Sequence, residues 1–332
     1  MRAYIVLFVA GMLLLAGCID FLEKPAEKPK NETNSGKPGV VIIKENESEA
    51  GKEEQSYPPA GEYTTSPNDV FRMYFLNVGH DRKQGEAILV QKGNFDMLID
   101  TGPSETTDKL INLLYPKVDD IEVLVITNGL NGTVEGAERI MNYFRVGEVW
   151  WNGNEKDEKL VEAINYAKSK EIPIRVVGRP DTFSYAYMDI EIMQPGPEDK
   201  NLVSIPDRGL VLRFKDRNSC FMITSTLLAA GQANLVDKYT HELQCDVFQV
   251  PGFAEGWGVT GTLLTSTGGQ LITQVSPKIA IFTGSPYDPD NSRETLRIYL
   301  DLKKSEVYEA YQYTNGLVVE YNGHEYNARG VG

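Results

Sequence analysis

Histidine is nearly missing from this chain: of 332 residues, three are histidine, His80, His241 and His324. Zinc sites and Ser-His or Cys-His nucleophile pairs are built on imidazole, so this scarcity removes the material for most of them. No G-x-S-x-G turn occurs, and no G-x-x-x-x-G-K-[ST] phosphate loop; WNGNEK at 151–156 lacks that pattern. Positive charge is short as well. There are 33 Lys and Arg against 47 Asp and Glu, a formal net charge of −14. A broad nucleic-acid surface needs clustered cations, so the charge opposes nucleic acid as a partner. The apolar run at residues 3–15 is too short to cross a bilayer comfortably.

What is present begins with a targeting pattern. Residues 1–18 read MRAYIVLFVAGMLLLAGC: one cation, Arg2, then the apolar run, then small residues. This is the grammar of a secretory signal. An uncleaved N-terminal anchor is the other reading, and both put the rest of the chain outside the cytoplasm. The ending LAGC resembles the lipobox of bacterial and archaeal lipoproteins. That resemblance implies cleavage after residue 17, a lipid on the Cys18 sulfur, and a cell-membrane location facing outward.

Residues 18–69 are rich in Lys, Glu, Pro, Gly, Ser and Asn, with one short apolar patch, VVII, at 40–43. Such a composition cannot bury enough surface to offset its ordering entropy, so it reads as a tether. The folded domain is expected over 70–332. With Cys18 lipidated, Cys220 and Cys245 remain; each opens an apolar run, and they are either a disulfide or two separate buried thiols. N-x-[ST] sequons occur at Asn31, Asn46 and Asn131.

Within the domain, apolar runs read as strands at 71–78, 86–92, 95–100, 121–126, 147–151, 174–178, 187–195, 209–216, 220–226, 245–251 and 277–284. Helical spacing appears at 106–117, 133–144, 155–170, 227–243 and 292–303, with a further candidate at 260–272. Residues 307–313 and 316–322 read as a closing hairpin around TNG. Two β-then-α halves of similar size predict an α/β protein, an αββα sandwich of four layers.

Specific motifs carry a resemblance across about residues 71–326. YFLNVG, then QGEAILVQ, then FDMLIDTGP follow one another in order; Asn77-Val78-Gly79, Gln84-Gly85-Glu86-Ala87 and Asp100-Thr101-Gly102 are the matching positions. The chain thereby resembles metallo-β-lactamase-fold domains of the ComEC competence-protein type. SPKIAIFTG and VYEAYQYTNGLVVEYNG resemble that family's closing passage. The resemblance implies an αββα sandwich and a hydrolase whose T-H-x-H-x-D-H loop holds one or two metal ions, usually zinc.

Laid on TNGLNGT at 127–133, that loop loses every ligand. Asn128 and Leu130 stand at the first two histidines, Gly132 at the aspartate and Thr133 at the third histidine. Downstream, the metal-bridging aspartate falls on Thr226. The two later histidine motifs fall near 250–256 and 287–289, again without a histidine. We therefore expect no cofactor and no zinc site. Asp100, Glu86, Glu135, Glu255, Asp288 and Asp290 are the carboxylates that remain near the old site, an oxygen set suited to calcium or magnesium. Asp100 is expected to accept backbone N–H bonds in its turn.

The expected cleft comprises Asp100, Asn131, Phe253, Glu255, Trp257 and Asp288. GFAEGWGVTGTLLTSTGGQ at 252–270 is either a binding loop with aromatic anchors or a loop that packs Trp257 over the cleft. Trp150 and Trp151 read as core or as a contact surface. The expected function is binding or scaffolding, with an envelope protein or a small ligand as partner. The alternative is a metal-dependent phosphodiesterase with a non-standard site.

Overall fold

The computed structural model describes residues 63–199, 201–251, 267–288 and 292–332. All of them lie in one compact unit, Ser56–Gly332. Cys18, Phe253, Glu255, Trp257 and Asp290 lie outside the described residues.

The strands are apolar on both faces because both faces are covered. The first sheet is built from β1 (Phe71–Leu76), β2 (Ile88–Lys92), β3 (Phe95–Ile99), β4 (Ile121–Val125), β5 (Val146–Trp151) and β6 (Ile174–Val176). The second follows with β7 (Thr182–Tyr185), β8 (Met188–Gln194), β9 (Val211–Asp216), β10 (Ser219–Ile223), β11 (Val247–Val250), β12 (Ile279–Phe282) and β13 (Glu306–Glu309). The chain then returns to the first sheet as β14 (Gly316–Tyr321) and β15 (Tyr326–Gly330). The strand orders are β15-β14-β1-β2-β3-β4-β5-β6 and β13-β12-β11-β10-β9-β8-β7.

Alternate residues of each strand face opposite cores. Val123 and Val125 of β4 join Phe71, Phe75, Phe214, Phe221 and Ile281 between the sheets. Leu124 points the other way, to an outer layer with Leu110, Ile140, Leu160 and Ile164. Those four come from α1 (Thr107–Leu114), α3 (Ala137–Tyr143) and α4 (Glu158–Ser169); a single turn, α2 (Asn131–Val134), precedes α3. On the far side, α5 (Ala229–Tyr239), α6 (Thr267–Val275) and α7 (Ser292–Lys303) cover the second sheet through Leu235, Leu271, Leu296 and Leu300. The result is the four-layer αββα sandwich. Trp150 belongs to the central core and Trp151 to the outer one, so both indoles are core rather than contact surface.

The closing hairpin forms elsewhere than expected. β13 pairs in parallel with β12, whereas β14 pairs with β1 and β15 in the other sheet. A short turn, Ala310–Gln312, carries the chain across the sandwich. Gly316 then enters with φ +104, and a Cβ there would lie 2.2 Å from the Phe75 carbonyl oxygen. The terminal hairpin is β14–β15, with exposed His324 in its turn. The expected helix at 133–144 is broken at Gly136 into α2 and α3.

Cys220 and Cys245 are joined as a disulfide, their Cα atoms 4.8 Å apart. The bridge closes a loop over 25 residues of separation. Replacing both with serine should lower unfolding stability by about 3 kcal/mol on chain-entropy grounds. Denaturant unfolding of the oxidised chain against the double variant reads this; superimposable transitions would show that the bridge contributes nothing.

Candidate functional site

The carboxyl ends of β3, β4, β10, β11 and β12 converge at one end of the sandwich. In α/β folds that end is where ligands sit. Here it is filled by the protein's own polar groups, beginning with Asp100 directly after β3.

Asp100 is fully buried and sits at φ 58, a left-handed conformation that aspartate tolerates better than most residues. Its Oδ1 accepts the Thr127 backbone N–H at 2.8 Å. Its Oδ2 accepts the Thr127 hydroxyl at 2.6 Å and the Ser225 hydroxyl at 3.3 Å. Thr127 follows β4 and Ser225 follows β10, so one carboxyl group ties the two sheets together. The backbone N–H that Asp100 accepts belongs to Thr127 after β4, 27 residues along the chain, and not to the turn after its own strand as expected.

Asn128, at the first lost-histidine position, makes the next layer. Its Nδ2 donates to Thr226 Oγ1 at 2.9 Å and Thr127 Oγ1 at 3.0 Å. Its Oδ1 accepts the Leu130 N–H at 3.0 Å and the Thr133 hydroxyl at 3.1 Å. Thr133 also donates to the Leu130 carbonyl at 2.8 Å, and Thr226 is buried. Leu130 leads into α2 with extended backbone, and the Gly132 carbonyl accepts the Glu86 N–H at 2.8 Å. All five of these expected ligand-replacement positions therefore bond to one another or to the approach of β2.

A second carboxyl group lies alongside. Glu86 is fully buried; its Oε2 accepts from Gln249 Nε2 at 2.9 Å and from Thr283 Oγ1 at 3.0 Å. Its Oε1 has no hydrogen-bond partner. Burial pushes the Glu86 carboxyl up to about 7, softened by Thr283 and Ser225. Burial also raises Asp100 well above the usual carboxylate range, and the neighbouring Glu86 adds to it.

Two expected cleft residues are not brought into this cluster. Asn131 is exposed at the start of α2, its Oδ1 accepting from Lys159 at 2.6 Å. Asp288 serves as a helix cap, accepting the N–H groups of Ser292 and Arg293 at 3.0 Å each. Glu135 pairs with Lys159 at the surface. Ser225, Gln249 and Thr283 were not singled out in the sequence. Their shared signal is a polar residue at or just past the carboxyl end of an apolar strand.

With that geometry in place, comparison with solved structures is informative. A metallo-β-lactamase-fold protein, YhfI from Bacillus subtilis, aligns with a TM-score of 0.53 at 12% identity, covering 76% of this chain and all of the other. The chain has the metallo-β-lactamase fold. Igni18, a metallo hydrolase from Ignicoccus hospitalis, aligns at TM-score 0.45 and 10% identity, covering 76% of this chain and 98% of its own. Rm3 metallo-β-lactamase aligns at TM-score 0.37 and 15% identity, covering 70% and 93%. No family profile matches the sequence, and no curated protein matches it.

The metal that this fold implies does not fit the residues at the convergent strand ends. Zinc needs imidazole, thiolate or free carboxylate donors. Asn128, Thr133 and Thr226 instead offer an amide and hydroxyls already engaged with one another. Among the described residues, no group of three or more His, Cys, Asp or Glu side chains is placed to hold a metal ion. Two surface clefts, of about 400 and 360 Å³, lie at the opposite ends of β10 and β11, around the disulfide.

The polar layer is a stability element. Asn128→Ala strands the Leu130 N–H and removes the donor to Thr226 Oγ1, and should cost about 2 kcal/mol in unfolding free energy. Gly129 faces Asp157, whose Oδ2 accepts the Gly129 N–H at 2.8 Å. A Cβ at Gly129 would lie 1.8 Å from Asp157 Oδ1, so Gly129→Ala should lower the thermal midpoint. A wild-type midpoint in either variant would refute that role for its residue.

Proposed function

We propose that this chain is a lipid-anchored protein of the cell exterior whose metallo-β-lactamase-fold domain binds a partner or ligand rather than hydrolysing one. The observation that carries this reading is the saturated hydrogen-bond layer at the metal-loop positions. Asn128 occupies a ligand position and uses both its amide atoms internally. A hydroxide-generating metal needs open lone pairs and a vacant coordination position. Supplying them here would break bonds to Thr226, Thr133 and Leu130.

The ordered N-terminal motifs and the closing passage favour the ComEC-type branch of the fold. LAGC at 15–18 favours cleavage and lipidation at Cys18. Among the described residues no helix is long and apolar enough to cross a membrane, so attachment through the N-terminus is the route this reading uses. The partner it fits is an envelope protein or a small ligand; the charge of −14 weighs against nucleic acid.

Metal analysis of the purified domain decides between binding and catalysis. Zinc and manganese should stay far below one equivalent, with no phosphodiester hydrolysis when either is added. One equivalent of bound metal together with hydrolysis would sink the binding reading. Separately, Cys18→Ser should move the full chain from the membrane to the soluble fraction; a variant that stays with the membrane would refute the lipid anchor.

A further inference from the structure

The Glu86–Asp100 pair poses a problem of hydrogen supply. Both carboxyl groups are fully buried, and among the described residues no cationic side chain bonds to either of them. Buried charge without a partner is costly, so the hydrogens around the pair must be accounted for.

Asp100 receives the Thr127 N–H at 2.8 Å and the Thr127 hydroxyl at 2.6 Å; the Ser225 hydroxyl lies 3.3 Å from Asp100 but 2.8 Å from Thr127 Oγ1, so its hydrogen is better placed on Thr127. Thr127 Oγ1 in turn receives a hydrogen from Asn128 Nδ2 at 3.0 Å, so its own hydrogen is free to point at Asp100. Glu86 Oε2 receives Gln249 Nε2 and Thr283 Oγ1. The remaining acceptors of Gln249 Nε2 are the Ser225 and Val250 carbonyls and Thr283 Oγ1, none of which belongs to Glu86. Glu86 Oε1 is the one carboxyl oxygen of the four that nothing serves. An acceptor left bare in a dry interior is the natural seat of a hydrogen of its own. Ser225, beside the Glu86 carboxyl, is the hydroxyl oxygen that such a hydrogen would face.

We propose that the pair holds a single proton, that the proton resides on Glu86 Oε1, and that it occupies the seam between the sheets as the neutralising positive charge. Glu86 is then a neutral acid donating toward Ser225, and Asp100, although burial and Glu86 both raise it, is the ionised partner because the Thr127 N–H and hydroxyl are directed at it. This rests on the metal-free reading of the same site. In this fold a proton does here what a metal cation does elsewhere: it lets buried acidic groups coexist at the convergent strand ends.

Among the described residues, the groups facing Glu86 from its neighbours are Asp100 after β3, Ser225 after β10, Gln249 in β11 and Thr283 after β12, and of these Asp100 is titratable. Asp96 and Glu122 also lie high, at about 7 and about 8, but at the opposite ends of β3 and β4. They contribute to the wild-type pH profile and cancel when a Glu86 variant is compared with wild type.

The sign follows from linkage. Folded Glu86 holds its proton up to about 7, whereas its ordinary value is 4.5. Wild-type stability relative to Glu86→Gln is therefore fullest below about pH 4.5. It falls as pH rises, and the loss is complete above about pH 7. The ratio of the Glu86→Gln folding constant to that of wild type should rise roughly tenfold per pH unit across that window, by a few hundredfold in total. Asp100→Asn should instead destabilise at every pH, because an amide nitrogen would face the Thr127 or Ser225 donors.

The experiment is urea unfolding of the full chain and both variants across this pH range, in chelator. A pH-independent ratio for Glu86→Gln would overturn the proposal, as would a pH-dependent gain from Asp100→Asn. Carbon-13 NMR of the wild-type Glu86 carboxyl supplies a readout that needs no variant. Titration near neutrality supports the proposal, and titration in the ordinary carboxylate range overturns it. Failure of the metal-free reading would show separately, as stoichiometric metal in the chain before chelation.

Discussion

The Asp100 carboxylate is the knot on which the convergent end of the sandwich depends. It is fully buried, and a buried anion persists only where donors surround it. Those donors come from the loop after β4 and the turn after β10, so solvating the charge forces the two sheets into register. Ser225 adopts φ 46 beside it, a conformation that a non-glycine residue holds only when its surroundings over-determine it. Asn128, Thr133 and Thr226 then satisfy what the first layer leaves open. At each step the requirement is the same: no buried polar group without a partner.

The other end of the sandwich is pinned by different means. Lys92 at the end of β2 meets Asp216 at the end of β9 at 2.6 Å, both side chains fully buried, and Arg217 adds a second cation. That end is neutralised by a direct ion pair, whereas at the other end, among the described residues, the hydrogen bonds to the Asp100 and Glu86 carboxyls come from hydroxyls, a side-chain amide and a backbone N–H. Between the two pins lies a layer dominated by apolar side chains, from Phe71 to Ile281. The disulfide joins the start of β10 to the approach of β11, on the side of the Lys92 pin. The two ends thus balance buried acidic groups differently: an ion pair at Lys92 and Asp216, hydroxyl and amide donors at Asp100 and Glu86.

Much of this was legible in the chain itself. The strands stood out because both of their faces are buried, which makes their sequences continuous apolar runs. Asp100 is expected from sequence to accept N–H groups of its own turn; it accepts that of Thr127 instead, because the end of β4 lies beside it in the folded sheet. The missing ligands were legible from residue identity alone, since Asn128, Leu130, Gly132 and Thr133 cannot present imidazole. The closing strands were not. Residues 307–309 and 316–321 are both apolar, and composition does not say that one belongs to each sheet. Asn131 shares the loop with Asn128, yet the start of α2 turns it toward Lys159 and solvent. Neighbours in sequence can face opposite ways when a helix begins between them.

Sequence by itself determined the inventory: two apolar β-rich halves, a signal-like N-terminus, a −14 charge and a metal loop without metal ligands. These are properties of residue type and local order, which the chain carries wherever it folds. Tertiary structure alone decided the partnerships. Ser225 lies 125 residues from Asp100, and Gln249 and Thr283 lie 163 and 197 residues from Glu86. A polar residue at the end of one strand carries no message until four other strand ends arrive beside it. Convergence turns Asp100 and Glu86 from two acidic residues into one buried pair, because only there does the absence of water make the hydrogen supply matter.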